Sequence, residues 1–431
     1  MSVCCGLERE TRLMKLALVT RRYPPLIGGA EKVLSYLATA LAAEGADVTV
    51  LTSEQPGMAL PTREEFAIGT DRAAAKSVSD KRGSLTIERL PTWGLRFVGT
   101  WRYMKNLENW FRWNSVDLAY VSMLKHDAYA TLRAAARFGF PVVLRPEGAG
   151  ATGDIAWQSW GHFGRTIGRR CRYADAFVTI SKAIENELSE SWVRGTLRPS
   201  TLDEWVRTTP SVPRLVSIPN GVPVPASAWQ RRADWRSAPR AVYVGRLAPE
   251  KGLDTLVNAW PLVLNQHPAG RLTLIGEGPE RPMLEARARS LGLTLGTEIT
   301  FGGVASDVTA ALRDADLFVL PSREEGMSIA LLEAMAVGIP IVASSIPGNR
   351  RIMGDFKHGR LVVSNDPPAL ARVIGEQWAN FDRAFHMSRA ARTRVEQEFS
   401  IRAVARQHLK LFESLVVTKP AKSGSPERMT E

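Results

Sequence analysis

The stretch R-A-V-Y-V-G-R-L-A-P-E-K-G, residues 240–252, decides the reading, together with S-R-E-E-G-M-S-I-A-L-L-E-A-M-A-V-G-I-P-I-V-A, residues 322–343. In the first, the apolar run Ala241–Val244 reads as a strand that ends in a glycine-bearing loop. That loop carries two cations five residues apart, Arg246 and Lys251. In the second, Glu325 and Glu333 stand eight apart, and Glu333 falls within a strong helical pattern over Ser328–Val337. Open α/β sheets bind ligands outside the carboxyl ends of their strands. The cations therefore stand where an anion would dock, and the carboxylates are good acceptors for hydroxyl groups.

Working outward, 431 residues suit two domains of ordinary size, and an apolar share of 45% suits sizeable cores. No apolar run is long enough to span a membrane, and Met1–Leu13 is too short and charged for a signal peptide. Residues 1–13 read as a flexible extension. The three cysteines, Cys4, Cys5 and Cys171, have no metal-ligand spacing, which points to a reduced, cytoplasmic chain. The adjacent Cys4 and Cys5 also suit S-acylation. The net charge of +12 is uneven. Residues 1–239 hold 32 Lys and Arg against 23 Asp and Glu, whereas residues 240–431 hold 24 against 21. A basic first half points to an anionic partner, a membrane surface or a phosphate-bearing acceptor. Nucleic acid is disfavoured because no recognition motif accompanies the charge.

Taken in order, Lys15–Thr20 reads as a strand, Ala30–Glu44 as a helix and Asp47–Thr52 as a second strand, a βαβ start. Gly28 and Gly29 precede the helix, where free backbone N–H groups make an anion site. Gln55–Arg82 reads as irregular with a weak helical patch, and Leu85–Leu90 as a strand. The segment Trp93–Trp113 interleaves aromatic and basic residues. It suits either a membrane interface or a core helix with snorkelling arginines. Beyond it come strands at Val116–Ser122, Phe140–Leu144 and Ala176–Ile180, a helix at Ala128–Phe138, a basic helix at Arg165–Arg172, and a helix from Lys182 capped by Ser181. Pro223–Pro239 reads as a linker. The second half alternates strand and helix, with Pro261 expected to kink the helix Leu253–Gln266 and Pro347–Asn349 expected as a turn. Asp382–Leu415 reads as helical, and residues 417–431 as a disordered tail.

The motifs G-R-L-x-x-E-K-G, E-x7-E, P-S-R-E-E-G, G-I-P-I-V-A and I-P-N-G-V (residues 218–222) together resemble the retaining glycosyltransferases of family 4. That resemblance implies a GT-B fold: two Rossmann-like α/β domains whose parallel sheets face a central cleft. It implies an acceptor-side domain over 14–222, the linker 223–239, and a nucleotide-sugar donor domain over 240–394. The helix 395–416 would pack back on the first domain. It further implies that Arg246 and Lys251 stabilise charge on a departing diphosphate and that Glu325 contacts the transferred sugar. Glu333 would take the ribose hydroxyls, Gly303 would meet the base through its backbone, and Gly28, Gly29, Gly245, Met327 and Ser328 would line the donor. The sequence departs from the family after Leu144, where a histidine followed by aspartate is common. Here Arg145, Pro146 and Glu147 stand instead, and His126 is the nearest histidine. Arg145, Glu147 and His126 are thus the acceptor-side candidates, and a lone histidine after a strand is more often structural.

The resemblance therefore implies a retaining hexosyltransferase that uses a nucleotide-diphosphate sugar and a saccharide or lipid-linked acceptor in cell-surface polysaccharide or glycolipid synthesis. No D-x-D motif follows an apolar strand, and two cations with backbone N–H groups can do the work of a metal, so neither metal nor cofactor is expected. Peripheral association with the inner face of the cell membrane fits the charge. Two other readings stay open. One is a sugar-nucleotide 2-epimerase of the same fold, against which the E-x7-E pattern argues. The other is an inactive donor-binding subunit of a polysaccharide assembly complex.

Overall fold

The computed structural model describes residues 12–26, 28–55, 57–67, 83–92, 96–150, 153–193, 213–354 and 357–418. Cys4, Cys5, Trp93, the 68–82 part of the irregular segment, and the tail from 419 lie outside the described residues. The chain divides into two compact units. The first holds Met1–Leu26, Leu37–Ile218 and Ala405–Glu431, and the second holds Ile27–Tyr36 and Pro219–Val404.

The first unit is built on β1 (Lys15–Val19), α1 (Gly29–Ala43), β2 (Asp47–Ser53), β3 (Arg63–Ala67), β4 (Ser84–Leu90), α2 (Arg96–Trp113) and β5 (Leu118–Ser122). It continues through α3 (His126–Phe138), β6 (Val142–Arg145), α4 (Asp154–Trp160), α5 (Gly164–Cys171), β7 (Ala176–Thr179), α6 (Lys182–Val193) and β8 (Arg214–Ser217). Helix α1 is shared, with Gly29–Tyr36 belonging to the second unit. The eight strands run in the order β3-β4-β2-β1-β5-β6-β7-β8. All neighbours are parallel except β3 with β4. Strands β5, β6 and β7 are buried along their whole length, as a parallel sheet covered on both faces requires. The chain leaves β1 on one side for β2 and later returns on its other side with β5, so the sheet reverses direction there.

Strand β3 corrects the expectation of irregular chain after Gln55. Its sequence R-E-E-F-A lacks a buried alternating face, and it is an edge strand held to β4 by the ion pairs Arg63–Glu88 and Arg89–Glu64. An edge strand needs no two-sided apolar pattern, and charged side chains are common there. In α2, Tyr103, Leu107 and Phe111 recur every four residues and are buried, whereas Phe97 and Trp101 face outward. The core-helix reading of this aromatic segment holds for the buried row, and the other row of rings is exposed.

The second unit has β9 (Arg240–Val244), a 3-10 turn at Pro249–Lys251, α7 (Leu253–Gln266), β10 (Arg271–Ile275), α8 (Arg281–Ser290), β11 (Ile299–Gly303), α9 (Val308–Arg313) and β12 (Leu317–Leu320). It goes on through α10 (Ile329–Val337), β13 (Ile341–Ser344), α11 (Pro347–Met353), β14 (Arg360–Val362), α12 (Pro367–Ala379), α13 (Phe381–Arg394) and the start of α14 (Ile401–Thr418). The six strands are all parallel in the order β11-β10-β9-β12-β13-β14. Pro347 opens a helix instead of closing a turn, and α12 begins on Pro367-Pro368. Proline suits a first helical turn, whose N–H groups are unpaired in any case. Helix α7 runs through Pro261 because Leu256, Val257, Trp260 and Val263 are all buried. Packing of that face outweighs one lost backbone bond.

Segment 223–239 is built into the second unit's core. Trp229 and Trp235 are buried there, and Trp229 Nε1 donates to the Ala315 carbonyl at 2.8 Å. Arg232 pairs with the wholly buried Asp316 at 2.8 Å. From Ala405 onward α14 belongs to the first unit. There Arg406 Nε donates to Glu44 at 2.8 Å, and His408 meets the Tyr120 hydroxyl at 3.3 Å. Among the described residues no helix is long and apolar enough to cross a membrane.

Candidate functional site

In the second unit β9 lies between β10 and β12, so the sheet reverses between β9 and β12. The loops that leave those two strands flank the crevice where open α/β sheets bind ligands. The loop after β9 is Gly245–Gly252, and the loop after β12 is Pro321–Ser328. They meet directly. Lys251 Nζ donates to Glu325 Oε1 at 2.8 Å, and Ser322 Oγ donates to the same oxygen at 2.8 Å. The Glu325 side chain is 9% exposed, so its charge depends on these partners.

Local sequence explains why the loops take this form. Gly252 has φ of +62°, and a Cβ there would strike the Pro321 carbonyl oxygen. Only glycine lets the two loops approach so closely. Arg323 then ties the second loop to the first, donating to the Pro249 carbonyl at 2.8 Å and to both Asp254 carboxylate oxygens. Arg246 differs from Lys251: it is exposed and has no side-chain hydrogen bond or ion pair among the described residues. Its backbone is fixed from below, where the buried Tyr243 hydroxyl donates to the Arg246 carbonyl at 2.9 Å. Burial first, then Glu325, Glu250 and Glu280, raises the Tyr243 pKa, so that hydroxyl stays a donor. Gly245 donates to the Ile275 carbonyl at 2.9 Å, and Gly276 donates to the Gly303 carbonyl at 2.7 Å. The loops after β9, β10 and β11 are thereby linked side by side.

Ser328 caps α10, its hydroxyl accepting from Leu331 N–H. Met327 is buried, with its sulfur 3.1 Å from the Asn220 amide. Glu333 lies one turn into α10, and its Oε1 accepts from the Tyr36 hydroxyl at 2.8 Å and pairs with Lys32. Both partners come from the part of α1 that belongs to this same unit. Burial, then Glu333, raises the Tyr36 pKa, so the phenol remains protonated. Gly29 opens α1 and faces Ile329 at the start of α10, while the Glu31 carboxylate folds back over Gly28.

The acceptor-side candidates lie in the first unit, beyond the carboxyl ends of β5 and β6. Arg145 is buried and pairs with Glu147, which also accepts from Ser122 Oγ. The Glu147 amide donates to Asp154 at 2.7 Å. Arg145 is thus occupied internally. His126 opens α3 and packs on Trp157, ring centroids 5.6 Å apart. Burial, with Arg21, His162 and Lys125 nearby, pushes its pKa down to about 4, so it is neutral and a weak proton acceptor near pH 7. Its neighbour Asp127 is 2% exposed, and burial pushes its carboxyl up to about 6 against the pull of Arg21.

The structure brings together Arg246's loop, Lys251 and Glu325, and sets Glu333 on the adjoining helix, with Met327 and Ser328 at the end of the loop that leads into it. The reading from sequence passed over Lys32, Tyr36, Tyr243, Ser322 and Asp127. The spacing of Gly29, Lys32 and Tyr36 along one helix face was the available signal for the first two. Among the described residues no group of three or more His, Cys, Asp or Glu could hold a metal ion.

Comparisons with known proteins agree on a family. A model described as "Glycosyl transferases group 1" matches residues 238–380, and one described as "Glycosyl transferase 4-like domain" matches residues 28–199. The chain is 27% identical over 405 residues to a glycogen synthase of Mycobacterium tuberculosis, covering 91% of this chain and 92% of that protein. It is 32% identical over 188 residues to the same organism's GDP-mannose-dependent alpha-(1-6)-phosphatidylinositol monomannoside mannosyltransferase, covering 41% of this chain and 48% of that one. Among solved structures, Anabaena Alr3699/HepE in complex with UDP and glucose superposes with a TM-score of 0.67 at 17% identity, covering 93% of this chain and all of that one. The fold is that of GT-B proteins.

Proposed function

The chain belongs to the group 1, family 4-like glycosyl transferases, and from that premise we propose that it moves a hexose from a nucleotide-diphosphate sugar to a saccharide or lipid-linked acceptor, with retention. The observation that carries this reading is the pairing of Lys251 with Glu325 across the point where the second sheet reverses, beside an exposed Arg246 that has no partner among the described residues. A donor diphosphate brings two negative charges, and breaking the anomeric bond adds charge to the leaving oxygen. Cations aimed there stabilise the transition state more than the ground state. Arg246 offers a forked donor to the diphosphate, and Lys251 a compact charge. In this reading Glu325 accepts from hydroxyls of the transferred sugar. Glu333, with Oε1 held by Tyr36 and Lys32, turns its other oxygen to the ribose.

The acceptor hydroxyl attacks the anomeric carbon on the face from which the diphosphate leaves. The bond from that carbon to the phosphate oxygen breaks with its electron pair, and the leaving oxygen takes the acceptor's proton. His126, neutral with a pKa near 4, is too weak a base to be needed. The protein's own cations do the work of a metal, so turnover is proposed to persist with a chelator. The names of the relatives support donors of this class: one is GDP-mannose-dependent, and HepE was solved with UDP and glucose. The test is thermal stabilisation by a panel of nucleoside diphosphates and their sugars without metal, since a ligand bound only to the folded state raises the melting temperature. One base should stabilise the chain, and Arg246→Ala with Lys251→Ala should abolish the shift. A panel that leaves the melting temperature unmoved would overturn the donor assignment.

A further inference from the structure

The first unit exposes more large apolar surface in one place than its fold needs. Phe97, Val98 and Trp101 of α2 are 66%, 46% and 60% exposed. Trp160 and Phe163, in the turn from α4 to α5, are 69% and 66% exposed. The two segments touch, because the Phe97 and His162 rings lie 4.9 Å apart. The same stretches of chain are rich in cations. Residues 96–105 hold three Lys or Arg and residues 155–172 hold four, and neither stretch contains an Asp or Glu. Lys105 stacks on Trp101 at 5.9 Å, and Arg165 and Arg169 stand exposed on α5. Exposed rings beside exposed cations match the head-group zone of a bilayer. There rings sit at the boundary with the acyl chains, and cations meet lipid phosphates. A purely solvated surface would not gather five large apolar side chains.

The face is also continuous with the acceptor-side residues. Trp160 packs on Trp157 at 6.3 Å, and Trp157 carries His126 at 5.6 Å and Lys125 at 5.5 Å. We propose that Phe97, Val98, Trp101, Trp160 and Phe163, with Lys105, Arg165 and Arg169, form a docking face for an anionic lipid bilayer. It sets the carboxyl ends of β5 and β6 against the membrane, where a lipid-linked acceptor would arrive. The face stands on the first unit's geometry alone, independent of the donor assignment.

The test is flotation of the full chain with vesicles of phosphatidylcholine alone and of phosphatidylcholine mixed with phosphatidylglycerol, without nucleotide. Wild type should float with the mixed vesicles only, and less so as salt rises. The double variant Trp101→Ser/Phe163→Ser keeps the charge and should lose about tenfold or more in partitioning. Arg165→Glu/Arg169→Glu should lose the preference for anionic lipid. Trp113→Ser, at the other end of α2 and 76% exposed, should float as wild type does. All these side chains are exposed, so urea midpoints should match wild type and separate docking from folding. The proposal is overturned if wild type floats with neither vesicle or equally with both. It is likewise overturned if Trp113→Ser loses as much as the double variant, or if the chain binds soluble heparin or single-stranded RNA and no vesicle. A failed nucleotide panel with intact flotation would sink the donor reading and leave the docking face standing.

Discussion

Arg246 and Lys251 read alike in the sequence and differ in what they do for the fold. Lys251 neutralises Glu325, a carboxylate with only 9% of its side chain exposed. Removing one partner of such a pair leaves a charge without compensation. Lys251→Ala should therefore cost about 1–3 kcal/mol in urea unfolding, in the range for a buried polar group left unpaired. Arg246 is exposed and has no partner among the described residues, and Arg246→Ala should stay within about 0.5 kcal/mol of wild type. Both variants should lose donor binding. Adding Glu325→Gln to Lys251→Ala should recover part of the stability and none of the binding. Equal stability losses for the two alanine variants would mean that the Lys251–Glu325 pair carries no load in the fold. The sequence showed both cations and both glutamates. It could not show which cation was already spoken for, because that depends on Gly252 letting the Pro321 loop close on the β9 loop.

At the scale of elements, the first turn of α3 sets two titrating groups against each other. His126 is held down to about 4 from an ordinary 6.5, chiefly by burial, so its contribution is present above about pH 6.5 and is lost as pH falls toward 4. Asp127 is pushed up to about 6 from 3.8, again chiefly by burial, so its contribution is present below about pH 4 and is lost as pH rises through 6. The two slopes oppose each other over the same window and largely cancel. His126→Gln should unmask stability that falls with pH between about 4 and 6, and Asp127→Asn stability that rises. Each variant's profile should change by at most about 2 kcal/mol across that window, in opposite directions, the Asp127-driven change being the larger because solvent screens the half-exposed His126. Urea midpoints across that window measure it, and parallel profiles for the two variants and wild type would refute the account. Element type was legible wherever an apolar run or a 3.6-residue period stood out, as in β1, β5, β12 and α10. It failed at β3, whose ladder is held by charges, and at α11, where Pro347 reads as a turn yet serves as a first helical turn.

For the whole molecule, each unit has a core of its own. One is centred on Tyr103, Phe111 and Phe177, the other on Trp229, Trp260 and Phe318. Domains with separate cores need not unfold together. Calorimetry should resolve two transitions, and the nucleoside diphosphate that stabilises the chain should raise only one of them. Asp316→Ala, which leaves the half-buried Arg232 without its buried carboxylate, should lower that same transition, since Asp316 sits in the unit that carries the loops proposed to bind the donor. A nucleotide that raised the other transition alone would place the donor elsewhere in the chain.

By itself the sequence determined the α/β class, the two-part plan and the family's motifs at Gly245–Gly252 and Glu325–Glu333, because strand runs, glycine loops and charge spacing are local and survive in one dimension. Tertiary structure alone decided three further matters. It buried Trp229 and Trp235 of a segment that reads as a linker, since a Trp-rich stretch tells nothing of where its rings find cover. It gave Glu333 to Tyr36 and Lys32, nearly 300 residues away along the chain. And it sorted the aromatic residues of α2 into a buried row and an exposed row joined by Phe163 and Trp160, because which face of a helix meets the core is settled only when the sheet beneath it is in place.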